Sequence, residues 1–464
     1  MDFSSIVFLF TFFPLSFLFF WIVPKKIRKV YLCIVSLIYF SLASLQSLPI
    51  LIISVLFNYF FGRLVEKSRH KKLFMVLGII ANIGLLFTFK YTNFMITNLN
   101  SLLKLKIKAI KIILPLGISF FTFQNISYLV DIYKGKIKPD KNIINFTLYT
   151  CYFPRIVNGP IMRYESFINE ISNLTKPNLD KVYDGTKRLC FGLGKVLILS
   201  FVVGNIWTQI IETSNSYGIT VLTAWLGIIC YSLYLFLNFS GYIDISIGIS
   251  KMFGIELPEN FDYPYYSTSI SEFWRRWHIT LGSWFRDYIY IPLGGNRKGN
   301  VYFNLMVVFI LTGLWHGSSW NFIVWGLYNG IFIVIERFIR EKAFYKKIPN
   351  VIKRVFTYLI ILLGWVLFAC NGLMASIHYY KYLFGLKPVP DVQYSFRYFL
   401  TFYNAFFIIL SVLISLPIKG FITSKIKNKK ALNIVSGVLA VVIFAISVVY
   451  LINSSYSPSL YAQF

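Results

Sequence analysis

The chain has 464 residues, of which 57% are hydrophobic, 19% aromatic and only 14% charged. A soluble domain does not need so much apolar surface, and runs long enough to cross a bilayer recur throughout, so the composition predicts an all-α polytopic integral membrane protein. The net charge of +28, from 46 Lys and Arg against 18 Asp and Glu, sits in short loops between these runs. Positive-inside topology accounts for that distribution, and we expect no nucleic-acid partner.

Twelve apolar segments are predicted to be membrane helices, and several are short enough to be re-entrant. In chain order they are 3–23, 30–46, 48–64, 73–95, 112–132, 189–210, 219–240, 301–316, 319–336, 351–374, 396–418 and 431–453. The first is not a signal peptide, because its basic cluster (Lys25 to Lys29) follows it instead of preceding it. This polarity predicts an external N-terminus, and the absence of a long linker predicts one membrane domain over 1–464.

Basic loops extend this topology along the chain. Loops predicted to be cytoplasmic are 63–72, 297–298, 337–347 and 419–430, and the uncharged end, NSSYSPSLYAQF, is predicted to be external. Four lysines between Lys104 and Lys111 do not fit this alternation, and their spacing with Leu and Ile is compatible with an interfacial helix. The five cysteines show no metal-ligand spacing, so we expect reduced structural thiols and no metal site.

Two further segments carry polar residues in apolar surroundings. In CYFPRIVNGPIMRYESF, Pro154, Gly159 and Pro160 interrupt an apolar run, which favours a loop that dips into the protein. Asn238 and Asp244 interrupt a second run. A carboxylate within the membrane needs a partner, and the sequence offers three arginines for it, Arg275, Arg276 and Arg286.

The segment STSISEFWRRWHITLGSWFRDYIYIPLGGNRKG, Ser267 to Gly299, concentrates aromatic and basic residues. Ser269 and Glu272 fit the capping box S-x-x-E and predict a helix start, and Pro292 with the following glycines predicts its end. The helix would mix Trp274, Trp277 and Trp284 with the three arginines. Such a helix either anchors at the membrane interface or lines an interior cavity, with His278 in a wet tunnel. The basic GGNRKG loop fits a phosphate-bearing donor and lipid headgroups equally well.

A single histidine stands in the nearly uncharged stretch LTGLWHGSSWNFIVWG, Leu311 to Gly326. Gly313 and Gly317 form a small-xxx-small face, and His316 lies three residues after Gly313 on the same side. A polar residue in the membrane usually faces the bundle interior, and burial keeps an imidazole neutral and able to accept a hydroxyl proton. His316 is therefore either a general base or a histidine that merely bonds to a neighbouring helix.

These segments together resemble the membrane-bound O-acyltransferase (MBOAT) family, in particular the bacterial branch typified by the alginate O-acetyltransferase membrane subunit. The resemblance rests on SEFWRRWHITLGSWFRDYIYIPLGGNRKG, on GLWHGSSW 38 residues after His278, on NFSGYIDISIGISKMFGIELPENFDYPY, on YFPRIVNGPIMRYESF and on the ending LYAQF. It covers the whole chain, with the most specific block at 238–330. It implies the MBOAT fold, with about 11–12 membrane helices and re-entrant or interfacial helices around a central tunnel.

The resemblance also implies an activity. His316 occupies the position of the family's buried catalytic histidine, and His278 matches a second histidine with a positioning or tunnel-lining role. Tunnel or substrate-binding roles are expected for Asn238, Asp244, Trp274, Arg276, Trp277 and Trp315. The expected donor is acetyl-CoA as a substrate, with no bound cofactor. The expected setting is a bacterial cell membrane, where an extracytoplasmic SGNH-type acetyltransferase would pass the acetyl group to an exported or cell-wall polysaccharide.

Three alternatives stay open. The first is D-alanyl transfer to teichoic acid from a phosphopantetheine carrier-protein thioester. The second is a transporter or flippase, since broken spans and interior charges suit one, although no inverted repeat is visible. The third is a scaffold without chemistry. Replacing His316 separates the last two alternatives from either transfer reaction, because only a general base must lose turnover.

Overall fold

A computed structural model of the chain describes residues 1–172, 174–387, 389, 392–425 and 428–453. Within these ranges the regular structure is helical, with one isolated antiparallel bridge between Phe261 and Trp277 and no strand. The predicted all-α architecture is confirmed. The ending LYAQF, which the sequence predicts to be external, lies outside the described residues.

Residues 1–189 and 243–258 form one compact unit. Its helices are Phe8–Phe12, Phe13–Ile22, Lys25–Ile27, Arg28–Ala43, Leu45–Ser47, Leu48–Lys67, Lys71–Lys90, Thr92–Leu103, Ile118–Tyr133, Ile143–Cys151 and Tyr164–Ser172. Two further helices, Leu179–Leu193 and Val221–Met252, contribute residues to both units of the chain.

Among the described residues, 190–242 and those from 259 to 453 form the second unit. Its helices are Gly194–Ser200, Phe201–Ser216, Pro264–Tyr266, Ile270–Arg276, Ile279–Phe285, Arg286–Tyr290, Val301–His316, Trp320–Ile339, Ala343–Lys347, Asn350–Ala369, Leu373–Leu383, Phe396–Phe399, Phe402–Ser415, Ile418–Lys425 and Lys429–Asn453. The expectation of a single domain stays a prediction.

Each of the twelve predicted spans overlaps a helix, but 73–95, 351–374 and 396–418 are divided between helices, and 112–132 begins before its helix does. By length and composition, seven helices in the described ranges can cross a membrane: Leu45–Lys67, Lys71–Lys90, Leu179–Ser216, Val221–Met252, Trp320–Ile339, Asn350–Ala369 and Lys429–Asn453. Three shorter apolar helices are Phe8–Ile22, Val301–His316 and Phe402–Ser415. Ile118–Tyr133 differs from these, since it buries Gln124, Asn125 and Asp131 inside its unit.

The interrupted run around Pro154 is a buried loop, as the sequence predicted. This arginine loop, residues 152–163, links Ile143–Cys151 to Tyr164–Ser172. Arg155 is 0% exposed, and its guanidinium lies over the rings of Tyr149 (4.8 Å) and Phe167 (4.5 Å). It donates to the backbone oxygens of Tyr149 and Met162. A buried cation thus bonds the irregular backbone that carries it.

The lysine stretch Lys104 to Lys111 is not the interfacial helix considered above. It is an exposed, non-helical segment held against the helix Thr92–Leu103 by two asparagines. Asn100 exchanges two side-chain hydrogen bonds with Ile107 (2.8 and 3.0 Å), and Asn93 does the same with Ile110 (2.9 Å each). Seven helical residues rise about 10 Å, and three extended residues also span about 10 Å. The two spacings match, so the segment runs extended along the helix.

Candidate active site

A capped helix leads into His278. Ser269 Oγ accepts from Glu272 N (3.1 Å), which confirms the predicted start of Ile270–Arg276. The Glu272 carboxylate reaches back to Thr268 N (2.8 Å) and Oγ1 (2.7 Å), and it pairs with Arg276 (2.9 Å). Burial alone would raise the pKa of Glu272, but the Thr268 hydrogen bonds and the charge of Arg276 hold this pKa below its ordinary value. The helix start is therefore fixed by charge-assisted hydrogen bonds.

The predicted single helix is broken at His278, which is a correction to the sequence analysis. His278 has a left-handed backbone (φ 48°), and a second helix, Ile279–Phe285, starts directly after it. The break frees backbone groups, and residues 260–262 bond to them: Ile279 N donates to Asn260 O and Asp262 N donates to Arg276 O, both at 3.0 Å. We call residues 276–280 the His278 segment. Its irregular backbone remains hydrogen-bonded although it is buried.

The side chain of Asn260 continues this pairing. Its Oδ1 accepts from Thr280 N (3.0 Å) and Thr280 Oγ1 (3.0 Å), and it lies 3.3 Å from His278 Nδ1. His278 is 3% exposed, and its ring packs against Phe239 at 4.8 Å between centroids. His278 lies outside the seven long apolar helices, and burial lowers its pKa to about 3. The ring is therefore neutral at ordinary pH.

His316 is the last residue of Val301–His316, here named the histidine helix. This helix starts at Asn300, whose Oδ1 accepts from Tyr302 N (2.9 Å) and Phe303 N (3.2 Å), and it ends where Gly317 is extended. The following helix, Trp320–Ile339, is named the return helix. A Cβ added at Gly313 would collide with Phe322 O, and one added at Gly326 would collide with Phe309 O. The two backbones are therefore in direct contact, as the small residues of the motif predicted.

Aromatic rings surround the His316 imidazole, which is 5% exposed. Ring centroids of Trp315, Trp325 and Phe368 lie 4.7, 5.1 and 5.0 Å from it. Trp325 comes from the return helix and Phe368 from Asn350–Ala369. His316 thus ends its helix among aromatic rings that shield it from solvent.

The Trp315 ring lies close to both histidines. Its ring centroid is 4.7 Å from His316 and 6.1 Å from His278. The structure therefore brings together the histidine pair that the sequence singled out, although 38 residues separate them.

The predicted tryptophans are interior. Trp277 is 4% exposed and packs on Trp365 at 5.1 Å, while Trp274 meets Trp325 edge-on at 5.4 Å. Of the two readings of this segment, the packing favours an interior wall over an interfacial anchor. Arg276 faces away from the cage, since it bonds Glu272 and Asp262.

Asn238 and Asp244 have different surroundings. Asn238 is buried, and its side chain donates to Ser200 Oγ (3.3 Å). The next residue, Phe239, packs against His278. Asp244 pairs with Arg188 at 2.9 and 3.0 Å, so its predicted pairing with Arg275, Arg276 or Arg286 is wrong. Gly185 and Gly248 let the two helices approach closely enough for this pair, because a Cβ on Gly248 would lie 2.7 Å from Gly185 O.

Sequence reasoning missed two residues, of which Asn260 holds the His278 segment and Glu336 holds the helix before it. Asn260 stands in the loop ELPENFDYPYY, where an asparagine ordinarily indicates a turn. Glu336 is a buried carboxylate on the return helix, and its Oε2 accepts from Ser271 N at 3.0 Å. A charged residue in an otherwise apolar helix was a usable signal for Glu336.

The described residues contain no group of three or more His, Cys, Asp or Glu side chains suited to a metal ion. All five cysteines are buried and free of disulfides, as expected.

Comparison with known proteins identifies the family. Residues 137–373, which include both histidines, match the MBOAT, membrane-bound O-acyltransferase family. A probable alginate O-acetylase of Azotobacter vinelandii is 32% identical over 100% of both chains. A peptidoglycan O-acetyltransferase of Helicobacter pylori is 33% identical over 83% of this chain and 80% of its own. A teichoic acid D-alanyltransferase of Bacillus subtilis is 30% identical over 59% of this chain and 69% of its own. The chain is therefore a multi-pass membrane O-acyltransferase of the MBOAT family, in its alginate O-acetylase-like branch.

Proposed function

We propose that the chain takes an acetyl group from cytoplasmic acetyl-CoA and moves it across the membrane for O-acetylation of an exported or cell-wall polysaccharide, with His316 as general base. The observation that carries the proposal is the pair of buried histidines that both lie close to the Trp315 ring. The names of the relatives over most of the chain, alginate O-acetylase and peptidoglycan O-acetyltransferase, support the acetyl group and the polysaccharide.

The proposed step needs one proton acceptor. A thioester is already activated, so the acceptor hydroxyl gives its proton to the His316 imidazole while its oxygen attacks the carbonyl carbon. The carbonyl electrons move onto oxygen and form a tetrahedral oxyanion. Its collapse breaks the C–S bond, and the leaving thiolate takes the proton from the imidazolium. The apolar rings around His316 exclude water, which favours transfer over hydrolysis.

The position of His316 supports a donor with a long arm. The ring lies about 22 Å along the histidine helix from Val301, at a rise of 1.5 Å per residue. An open depression of ≈ 450 Å³ at the start of this helix is lined by Gly299, Asn300, Val301, Tyr302 and Arg337. The basic residues Arg297 and Lys298 stand beside it in sequence. A phosphate-bearing head group at this basic end would leave an extended thioester arm to reach the histidine.

The remaining features of the proposal are the orientation of the chain in the membrane and its partner protein. The basic end would face the cytoplasm of a bacterial cell, with the N-terminus outside. An extracytoplasmic SGNH-type acetyltransferase would receive the acetyl group. The competing function is D-alanyl transfer from a phosphopantetheine carrier protein. It is supported by the Bacillus subtilis relative, which aligns with a smaller part of this chain.

Donor consumption by the purified protein in nanodiscs tests the proposal. Acetyl-CoA and D-alanyl carrier protein are offered separately, with and without the extracytoplasmic transferase. We expect release of free CoA that depends on His316. Consumption of the carrier thioester alone would assign the competing function. Turnover that persists in His316→Ala at wild-type expression would remove the general base from the proposal.

A further inference from the structure

We propose that Asn260 is a positioning residue that holds His278 with its proton on Nδ1, so that Nε2 presents a lone pair to the site. The inference about the proton stands on the geometry around Asn260 and on the burial that keeps the ring neutral. The assignment of an acceptor hydroxyl as the partner of Nε2 rests on the proposed function.

One side-chain atom of Asn260 faces His278, and its other contacts identify it. That atom also lies 3.0 Å from Thr280 N, which is a backbone N–H and can only donate. It must therefore be the amide oxygen, because the amide nitrogen would place two donors against each other. Thr280 Oγ1, at 3.0 Å, contacts the same atom.

The contact with this oxygen determines the tautomer of His278. His278 Nδ1 lies 3.3 Å from this oxygen. A lone pair on Nδ1 would face the lone pairs of the oxygen, whereas a proton on Nδ1 makes a hydrogen bond. Because the buried ring is neutral, a proton on Nδ1 leaves Nε2 without one.

Backbone contacts hold Asn260 in the orientation that faces His278. Its backbone oxygen accepts from Ile279 N (3.0 Å), and the next residue, Phe261, pairs with Trp277 across the isolated bridge. Asn260 is 0% exposed, and its side chain takes the place of an N-cap for Ile279–Phe285, since the N-cap residue His278 makes no side-chain cap. The Asn260 side-chain amide therefore both caps the helix Ile279–Phe285 and determines the tautomer of His278.

Nε2 is the other end of this arrangement. It is buried and has no hydrogen-bond partner among the residues that the structure describes. A buried acceptor is normally satisfied by a protein group, a water or a ligand. Because the Trp315 ring lies close to both His278 and His316, the two imidazoles share one neighbourhood, and the hydroxyl that reacts at His316 is the ligand we assign to Nε2.

Solid-state ¹⁵N NMR of histidine-labelled protein in lipid bilayers tests the tautomer without any turnover. The chain has only four histidines, and His278→Gln identifies the signals of His278. We expect hydrogen on Nδ1 and none on Nε2 between pH 6 and 8. Hydrogen on Nε2, or an equal mixture, would overturn the inference whatever the donor proves to be.

Variants of Asn260 test the positioning role. In Asn260→Leu we expect the tautomers to mix and kcat to fall by roughly 10- to 100-fold with little change in donor KM. Asn260→Asp keeps an oxygen at this position and should retain the Nδ1 proton and more of kcat. Thr280→Val is the matched control, because it removes a neighbouring hydroxyl and leaves the amide oxygen in place.

An unchanged tautomer in folded Asn260→Leu would remove the positioning role. If that variant does not fold, the wild-type spectrum and Asn260→Asp still decide. Loss of the Nδ1 proton in Asn260→Asp would contradict the inference.

Discussion

The arginine loop and the His278 segment are both buried stretches of irregular backbone, but they use their functional side chains in opposite ways. In the arginine loop, the Arg155 guanidinium turns back and bonds the backbone oxygens of Tyr149 and Met162. In the His278 segment, neighbouring residues bond the backbone, and the outer nitrogen of the histidine bonds nothing in the described chain. The first arrangement bonds the side chain into the fold, whereas the second leaves a buried ring nitrogen without a partner in the described chain.

The largest expected effect is on the chemistry at His316. We expect His316→Ala to fold and to lose transfer by about 10²- to 10⁴-fold, the usual contribution of a general base. The measurement is the rate of acyl transfer per folded molecule in nanodiscs. His70→Ala, at an exposed histidine, should keep the wild-type rate. A rate within a few-fold of wild type in His316→Ala would contradict the contrast between the two regions.

Arg155 should behave in the opposite way. In Arg155→Leu the buried oxygens of Tyr149 and Met162 lose the Arg155 hydrogen bonds, although Met162 O still accepts from Tyr149 Oη. We expect a loss of about 2–4 kcal/mol in the free energy of unfolding. Activity per folded molecule should stay near wild type. The measurement is thermal unfolding in detergent together with the transfer rate, and Arg275→Leu, at an exposed arginine, is the control. Full stability with lost activity would place Arg155 in the reaction instead.

His278 should give an intermediate effect. We expect His278→Ala to slow transfer by roughly 10- to 100-fold, less than His316→Ala, because it removes a hydrogen bond to the reacting hydroxyl and leaves the base. Steady-state kinetics of both single variants and the double variant measure this. Strict additivity of the two losses would argue against a shared hydroxyl.

The ion pair of Asp244 should give the smallest effect. Asp244 and Arg188 are 17% and 28% exposed, so we expect Asp244→Asn to lose about 1 kcal/mol of stability without loss of transfer. The exchanged pair, Asp244→Arg with Arg188→Asp, should recover part of the loss in a thermal unfolding assay. A large loss of transfer in Asp244→Asn would make the carboxylate part of the site after all.

Sequence patterns predicted the helices well, because apolar length alone determines what can lie in a bilayer. The histidine helix has the predicted bounds, and the glycine face that buries His316 is a local pattern. The break at His278 was missed because the capping box marks only where a helix starts. What allows the break is Asn260, 18 residues away, and local propensity carries no information about such a partner.

The partner of Asp244 was missed for a related reason. Two of the candidate arginines have nearer carboxylates, Arg276 with Glu272 and Arg286 with Asp287. Arg188 is 56 residues from Asp244 and is brought close only because Gly185 and Gly248 allow two helices to touch. Helix contacts therefore determine which charges pair within a membrane protein, and a single sequence does not show which helices are in contact.

The glycine contact between the histidine helix and the return helix has a consequence for how this enzyme can vary. Since backbone meets backbone at Gly313 and Gly326, the depth of His316 is set by main-chain atoms and does not depend on which side chains cover the outside. The outward positions Leu327, Ile331, Ile335 and Phe338 are 39–55% exposed. These positions are free to change with the thickness and composition of the surrounding lipid, while the imidazole keeps its place.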